Sequence, residues 1–575
     1  MSAGCASPGK KPTKPLPMEF IDARRLTGPS LLFDEPGSIL DVSCSREEAA
    51  RLIPVWRANV QRMLAELDWR HEPKFASVLL AGGVSVGFTA PIDALYAASE
   101  LNEWAWAQCD ADLQGADVPD FAATLSALQT SREEESNPVL LTLEAAAAAR
   151  DVTFLWDDDD ASLGLGRHST TWPVRGLPDP GTLDWRAFSD VPIALVTGTN
   201  GKTTTVRLAA HIMGRDGLRA GMSSTDYIAI GDQVVDRDDW AGPGGARLVL
   251  RHSEVDIAIL ETARGGLLRR GLGITSADAA LITNIARDHL GDFGSQNLEE
   301  LLNIKWIVSR AVRDRGQLVL NADDALLVGK SGNYPGTIVW FSLDPDNEVI
   351  TAHAGNGGKA FVLSGEELLF IDGQSRELLL REDDIPITLG GAARHNTANA
   401  LAAAALTSCL GASLDTIRTG LSTMSQDANP GRGNLYKVND FTVIVDFAHN
   451  PQALQALLEM AHRLPGKRKV LCFGQAGDRT DDLIRELARD AWATGLDRVH
   501  VSELAKYYRG RGAGEVFRLM REELISCGAT DEQIEHHEHE IDSLNSALAW
   551  AQPGDLVIML ALERSQELYD KLKSL

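Results

Sequence analysis

Apolar residues follow two different rhythms along this chain. From Arg46 to about Arg150 they recur mainly at helical spacing, with Trp56, Val60, Met63 and Leu64 on one face and an alanine run at 145–149 near the end. A strand-like run at Val78–Leu80 precedes Gly82 and Gly83, so this first stretch reads as a small α+β domain without a recognisable catalytic cluster. After Val191 the rhythm changes to short apolar runs alternating with helical segments: IALV at 193–196, DIAIL at 256–260, AALIT at 279–283 and QLVLN at 317–321. Buried strands alternating with helices predict a parallel sheet covered on both faces. A second series, FTVIVD at 441–446, KVLCF at 469–473, RVHVS at 498–502 and DLVIML at 555–560, predicts a smaller Rossmann-like α/β domain.

Turn-forming residues set the boundaries. Residues 1–17, rich in Gly, Pro and Lys, read as a disordered leader, and 18–150 as the N-terminal domain. Between 151 and 190 the text turns acidic, with Asp157 to Asp160 in a row, and then Gly- and Pro-rich, which predicts a linker with a solvated acidic loop. The central domain then covers 191–429 and the C-terminal domain 430–575. A length of 575 residues fits such a multidomain chain.

Charge narrows the partners. A net charge of −26 excludes general affinity for nucleic acid or an anionic membrane, so an anionic ligand must meet a local basic site. No apolar run reaches the ~20 residues that span a bilayer, and no signal-peptide core follows the N-terminal lysines. The cysteines, Cys5, Cys44, Cys109, Cys409, Cys472 and Cys527, form no CxxC pair, so they suggest neither a disulfide framework nor a zinc site. These features predict a cytoplasmic protein.

The sharpest motif follows the first strand of the central domain. Gly198-Thr199-Asn200-Gly201-Lys202-Thr203-Thr204 lies between an apolar strand and an apolar helix, the context in which backbone N–H groups converge on phosphate at a positive helix end. Lys202 is then placed for the β/γ-phosphates and the Thr203 hydroxyl for Mg²⁺. The loop is shorter than the usual P-loop, because Val196 stands where its first glycine would fall. Glu261 ends the DIAIL strand as a candidate Mg²⁺ ligand, and the next strand delivers Asn284 and His289 to the same rim. A phosphate loop alone does not separate kinase, transporter, GTPase and ligase.

The order of GTNGKT, the strand-end Glu261, TNIARDHL, Lys305 and HNTANALAAAA resembles the Mur ligase superfamily over about 190–575. ETARGGLLRRGLG at 261–273 is most similar to the Mur-ligase part of cyanophycin synthetases, and GGVSVGFTAP at 82–91 looks like part of their N-terminal domain. The resemblance implies a multidomain α/β fold: an N-terminal α+β domain, a central P-loop parallel-sheet domain and a Rossmann-like C-terminal domain. It implies ATP and Mg²⁺ as cofactors, with Glu261 and His289 on the metal and Asn284 and Asn396 near the adenine. Lys305 corresponds to a lysine carbamylated in several members, although an unmodified, salt-bridged Lys305 fits the sequence equally.

In the last domain, Arg432 resembles the arginine brought to the γ-phosphate on closure, and DFAHNP at 446–451 resembles a DYAHNP segment. Asp446 would then hold ribose or a Mg-linked water, and His449 and Asn450 would frame the closed site. GQAGDR, with Gly477, Asp478 and Arg479, would meet the incoming amine, as would Arg264 of the ETARGG segment. The implied reaction is ADP-forming amide-bond ligation through an acyl phosphate. Its substrates would be amino acids or peptides, a β-aspartyl-arginine dipeptide among them. The stretch 91–190 lacks the phosphate loop and spaced carboxylates of an ATP-grasp domain, so a shortened relative is expected. Another Mur-type ligase and a non-catalytic nucleotide-binding regulator are the alternatives, and homo-oligomerisation is left open.

Overall fold

The computed structural model describes residues 18–67, 69, 71–288, 290, 291 and 293–575; the leader at 1–17 and His289 lie outside them. The chain divides into two units. In the first, Ser45 and Glu48 form a reciprocal capping box that starts helix Arg46–Glu66. This helix and Leu95–Gln114 pack on an antiparallel sheet ordered Glu19–Leu26, Gly37–Ser43, Gly83–Thr89, Phe75–Leu80. The buried Trp56 indole donates to Asn102 Oδ1 at 2.9 Å, and the Asn102 amide donates to Ser38 Oγ at 2.8 Å, so these three side chains form one buried hydrogen-bonded chain.

The second unit corrects one expectation. Residues 151–190 are not a plain linker but hold a three-stranded antiparallel sheet, Phe154–Trp156, Asp160–Leu163 and Thr170–Pro173. Arg251 explains why the acidic run folds. It pairs with Asp157 at 2.5 Å and also donates to the Asp160 carbonyl and Ser162 Oγ. Burial pushes the Asp157 carboxyl up, but backbone N–H donors and Arg251 outweigh it and hold the group below its ordinary value.

The central sheet is 11-stranded. Its parallel middle runs Ala220–Ser223, Ile257–Glu261, Ile193–Thr197, Ala277–Ile282, Val312–Asn321, Thr337–Ser342, Lys359–Ser364. Antiparallel hairpins extend both edges of this expected parallel sheet, Ile228–Ile230 with Gln233–Asp236 and Glu367–Asp372 with Ser375–Arg381. The first strand in sequence, Ile193–Thr197, lies between two later ones, and at such a reversal of strand order a crevice opens beyond the strand C-termini. Helix Arg394–Cys409 is buried almost all round, and its alanines allow it to lie close between the sheet and helix Lys202–Arg215.

The last sheet runs Arg432–Val438, Phe441–Asp446, Leu556–Leu560, Lys469–Phe473, Arg498–Ser502, Ile534–His537, parallel except for the first pair. Among the described residues no helix is long and apolar enough to cross a membrane.

Helix Leu414–Thr423 crosses the phosphate-loop helix at Gly420, where an added Cβ would stand 2.5 Å from Ile212 Cγ1 and 2.7 Å from Ile212 Cα. Alanine there gains ~1 kcal/mol of helix propensity and loses about 1–3 kcal/mol to overpacking. Gly420→Ala should therefore lower the denaturation midpoint. A raised midpoint in urea unfolding would show that the crossing relaxes freely.

Candidate active site

Strand register builds the site. Glu261 is level with Val196 on one side of the first strand, and Ile282 is level with Thr197 on the other, so Glu261, the loop after Thr197 and Thr283-Asn284 emerge on one rim. The loop is held by its neighbours. Thr283 Oγ1 and the Asn284 amide donate to the Asn200 carbonyl at 2.6 and 3.0 Å, while Asn284 Oδ1 accepts from the Asn200 N–H at 3.0 Å. Two glycines are required. Gly198 has φ +142° with Thr283 Oγ1 1.9 Å from where a Cβ would sit, and Gly201 has φ +85° with Asn399 Oδ1 at 2.2 Å from such a Cβ.

Lys202 opens helix Lys202–Arg215, and its ammonium donates to the Thr199 carbonyl at 3.0 Å. Thr199 Oγ1 accepts from the Ala286 N–H at 3.0 Å. Thr203 Oγ1 donates to Glu261 Oε2 at 2.8 Å and Thr225 Oγ1 to Glu261 Oε1 at 2.7 Å. Glu261 is 1% exposed, and among the described residues no cation lies within ion-pairing distance of it. A buried carboxylate faced by hydroxyls and lacking a counter-charge fits a hard divalent cation. Thr204 is buried and accepts from the Asn429 amide at 3.3 Å.

Lys305, 3% exposed, donates to the Gly198 carbonyl at 2.7 Å, so among the described residues the salt bridge considered from the sequence is not formed. Burial and the nearby Lys202 push its amine well below the ordinary lysine value, while Asp288 and Glu261 oppose this. Arg264 donates to Ser295 Oγ at 2.6 Å and contributes to the same field.

Asp226 was missed by sequence reading, and it links the two domains of this unit. It pairs with Arg207 at 2.5 Å and Arg432 at 3.1 Å. Burial raises the Asp226 carboxyl, yet Arg432 and Arg207 together hold it below its usual range. Arg207, on the phosphate-loop helix, also donates to Asn429 Oδ1 at 3.1 Å and the Pro430 carbonyl at 3.2 Å, fixing the segment that leads to Arg432. The Arg432 guanidinium lies 4.8 Å over the Phe447 ring, a place where an aromatic face suffices without the tyrosine hydroxyl. Thr225 and Asp226 follow a strand of four residues too short to stand out as a pattern.

Further along, Asn200 and Asn450 exchange amide hydrogen bonds at 2.8 and 3.3 Å, tying the phosphate loop to the last domain. Asp288, also missed, stands 3.5 Å from His449 Nε2 and 3.4 Å from Arg479 in a cleft of about 300 Å³. Gly477 and Asp478 serve the loop itself. The Gly477 N–H donates to the Tyr507 carbonyl at 2.8 Å, and Asp478 is gripped by Arg479 and Arg509. Asn396 is buried, donating to the Ile387 carbonyl at 3.0 Å and accepting from Asn399 at 3.2 Å, so its amide faces protein groups.

A short phosphate loop with a strand-end carboxylate, overhung by a second α/β domain carrying Arg432, marks a candidate nucleotide site built from two domains. Residues 196–407 match the Mur ligase middle domain and residues 431–561 the Mur ligase, glutamate ligase domain. The chain thus carries Mur ligase middle and C-terminal domains within 196–561. It is 38% identical over 340 residues to the cyanophycin synthetase of Crocosphaera subtropica, covering 59% of this chain and 39% of that one. It is 36% identical over 372 residues to the cyanophycin synthetase of Trichormus variabilis, covering 64% and 41%. The chain thus spans about two fifths of the length of these curated relatives. Among solved structures it is similar to E. coli FolC in complex with DHPP and ADP, with TM-score 0.50 and 18% identity over 67% of this chain and 89% of that one, a likeness of fold.

Asp446 faces Arg432 across the strand pair, and burial pushes its carboxyl up to about 6 against the pull of Arg432. An unfolded aspartate releases its proton near ~4, so between those values the folded chain binds more protons and its stability falls as pH rises through about 6. Asp446→Asn should remove this fall, gaining stability relative to the parent at pH 7.5 compared with pH 4.5 in urea titrations. A parent-to-variant difference that is constant across that range would contradict the assignment.

Proposed function

We propose that this chain is an ATP-dependent ligase that activates a substrate carboxylate as an acyl phosphate and joins it to an amine, releasing ADP and phosphate. The observation that carries this reading is the convergence of Lys202, Glu261, Lys305 and Arg432 around one phosphate loop, reached from both domains. Electrostatic influence of Glu261 and Lys202 on Lys305, and of Glu261 on Arg432, supports their sharing one site. Thr203 and Glu261 would hold Mg²⁺, with His289 as the further ligand the family resemblance implies. The metal would supply Lewis-acid neutralisation of phosphate charge.

The chain's own groups account for the rest. Lys202 and the loop N–H groups bind the phosphates, and Arg432 offers fixed positive charge where phosphoryl transfer spreads negative charge. Arg432 is already desolvated against Asp226, so little reorganisation is needed. The Asn200–Asn450 pair holds the last domain against the loop, which keeps water from the acyl phosphate. Arg479 and Arg264 are cationic candidates for the carboxylates of amino acid or peptide substrates. Burial shifts the Lys305 amine toward its neutral form, the form that can react with CO₂. A carbamate there, formed with release of a proton, would place an anion beside a second Mg²⁺.

Similarity to cyanophycin synthetases favours cyanophycin-type substrates, and the family resemblance of the sequence implies β-aspartyl-arginine dipeptides among them. A cytoplasm supplying ATP is the compartment this reading requires. The test is to incubate the chain with ATP, Mg²⁺ and β-aspartyl-arginine, or with single amino acids and a peptide acceptor. Phosphate release is then measured together with amide product by mass spectrometry. Acceptor-dependent phosphate release with an amide product is expected, and Lys202→Ala should slow it by about 10²–10³-fold. A phosphorylated small molecule as the final product, or ATP binding with no acceptor-dependent turnover for any substrate, would overturn the proposal.

A further inference from the structure

The edge of the C-terminal sheet carries a cluster that the nucleotide site does not use. Strand Arg498–Ser502 pairs in parallel with Ile534–His537, with His500 opposite Glu535 and Ser502 opposite His537. Side chains two apart share a face of a strand, so His500, Glu535 and His537 project together. Helix Glu540–Trp550 lies on that face and supplies the Ser543 carbonyl and the Ser546 hydroxyl.

His500 is 0% exposed, and its Nδ1 is 3.2 Å from the Ser543 carbonyl. A carbonyl only accepts, so Nδ1 carries the ring proton and Nε2 of the neutral ring presents a lone pair. That Nε2 has no hydrogen-bond partner, although it is buried and stands 3.4 Å from Glu535 Oε2. A lone pair facing a carboxylate oxygen repels it unless a cation lies between them. His537 Nε2 stands 3.2 Å from the same oxygen, and the ligand atoms of the three residues lie within 4.8 Å of one another. Tetrahedral bonds of ~2.0–2.1 Å to nitrogen and oxygen require ligand atoms about 3.3 Å apart. The two separations from Glu535 Oε2 already have that value.

The surroundings also suit a metal. The Nδ1–H to carbonyl bond fixes the His500 tautomer and ring orientation, as the outer partners of metal-bound histidines do. Arg498 holds Glu535 Oε1 and Ser546 donates to Oε2 at 2.6 Å, which orients the carboxylate. Glu535 and His537 keep 30% and 14% of their side-chain surface exposed, enough for entry of an ion and for a water as fourth ligand.

The geometry points to a binding site for a divalent transition metal, Zn²⁺ by its donor set, formed by His500, Glu535 and His537. Two imidazole nitrogens and one carboxylate oxygen suit zinc over the hard, all-oxygen preference of Mg²⁺. The cysteine spacing gave no hint of it because no cysteine is a ligand. Bound there, the metal staples the four-residue edge strand Ile534–His537 to its neighbour. This inference does not depend on the proposed ligase reaction.

The test uses the metal-stripped full chain without nucleotide, in excess Mg²⁺ so that the phosphate-loop site cannot capture the probe. Titration with Zn²⁺ should reach one ion per chain with a rise in thermal midpoint. His537→Ala and Glu535→Gln should each weaken Zn²⁺ binding at least about tenfold, while His539→Ala, outside the cluster, should leave it unchanged. An unchanged circular dichroism spectrum and a cooperative thermal transition show that a variant is folded. Should a variant fail to fold, X-ray absorption of the zinc-loaded unmutated chain replaces it, with two imidazole ligands expected. No Zn²⁺ uptake, uptake insensitive to the folded variants, or fewer than two imidazoles would overturn the site.

Discussion

Everything at the candidate active site depends on the register of neighbouring parallel strands. Because Glu261 aligns with Val196 and Ile282 with Thr197, a carboxylate, a phosphate loop and a bracing Thr-Asn pair leave the sheet at the same height. A slip of one residue would turn Glu261 toward the opposite face. The sheet core enforces the register: the strand Ile257–Glu261 is buried at every position and cannot slide without exposing apolar surface.

The connection to the last domain is carried by charge. Arg207 sits one turn into the helix that begins at the phosphate loop, yet it reaches Asp226, Asn429 and the Pro430 carbonyl. A buried guanidinium is costly when its donors are unmatched, and these partners take up both of its terminal amino groups, leaving only Nε without one. The segment before Arg432 is thus positioned by the same helix that positions Lys202. The two Mur ligase domain matches, 196–407 and 431–561, meet at these side chains.

Much of this was legible in the sequence because strong local patterns carried it. The strand runs around 193, 257, 279, 317 and the four of the last domain all form strands, since continuous apolar stretches bounded by turns have little other way to be buried. The N-terminal strands Glu19–Leu26 and Gly37–Ser43 were hidden, the first because its leading residues are exposed and the second because it is buried on both faces, so neither alternates. The sheet within 151–190 was hidden because its stability comes from Arg251, about 90 residues away in sequence. At the site, glycines and the Lys-Thr pair announced themselves by spacing. Asp226, Thr225, Asp288 and Asn399 did not, because their roles come from contacts made across the fold.

The Asn200–Asn450 exchange has a consequence for how the cleft can work. Two uncharged amides that satisfy one another can separate and each be satisfied by water at small cost, and neither step involves a proton or a counter-ion. This amide contact between the phosphate loop and the last domain is therefore indifferent to ionic strength and acidity. The charged contacts between the domains lie elsewhere, at Asp226 with Arg432 and at Asp288 with Arg479, and the amide pair stays neutral beside them.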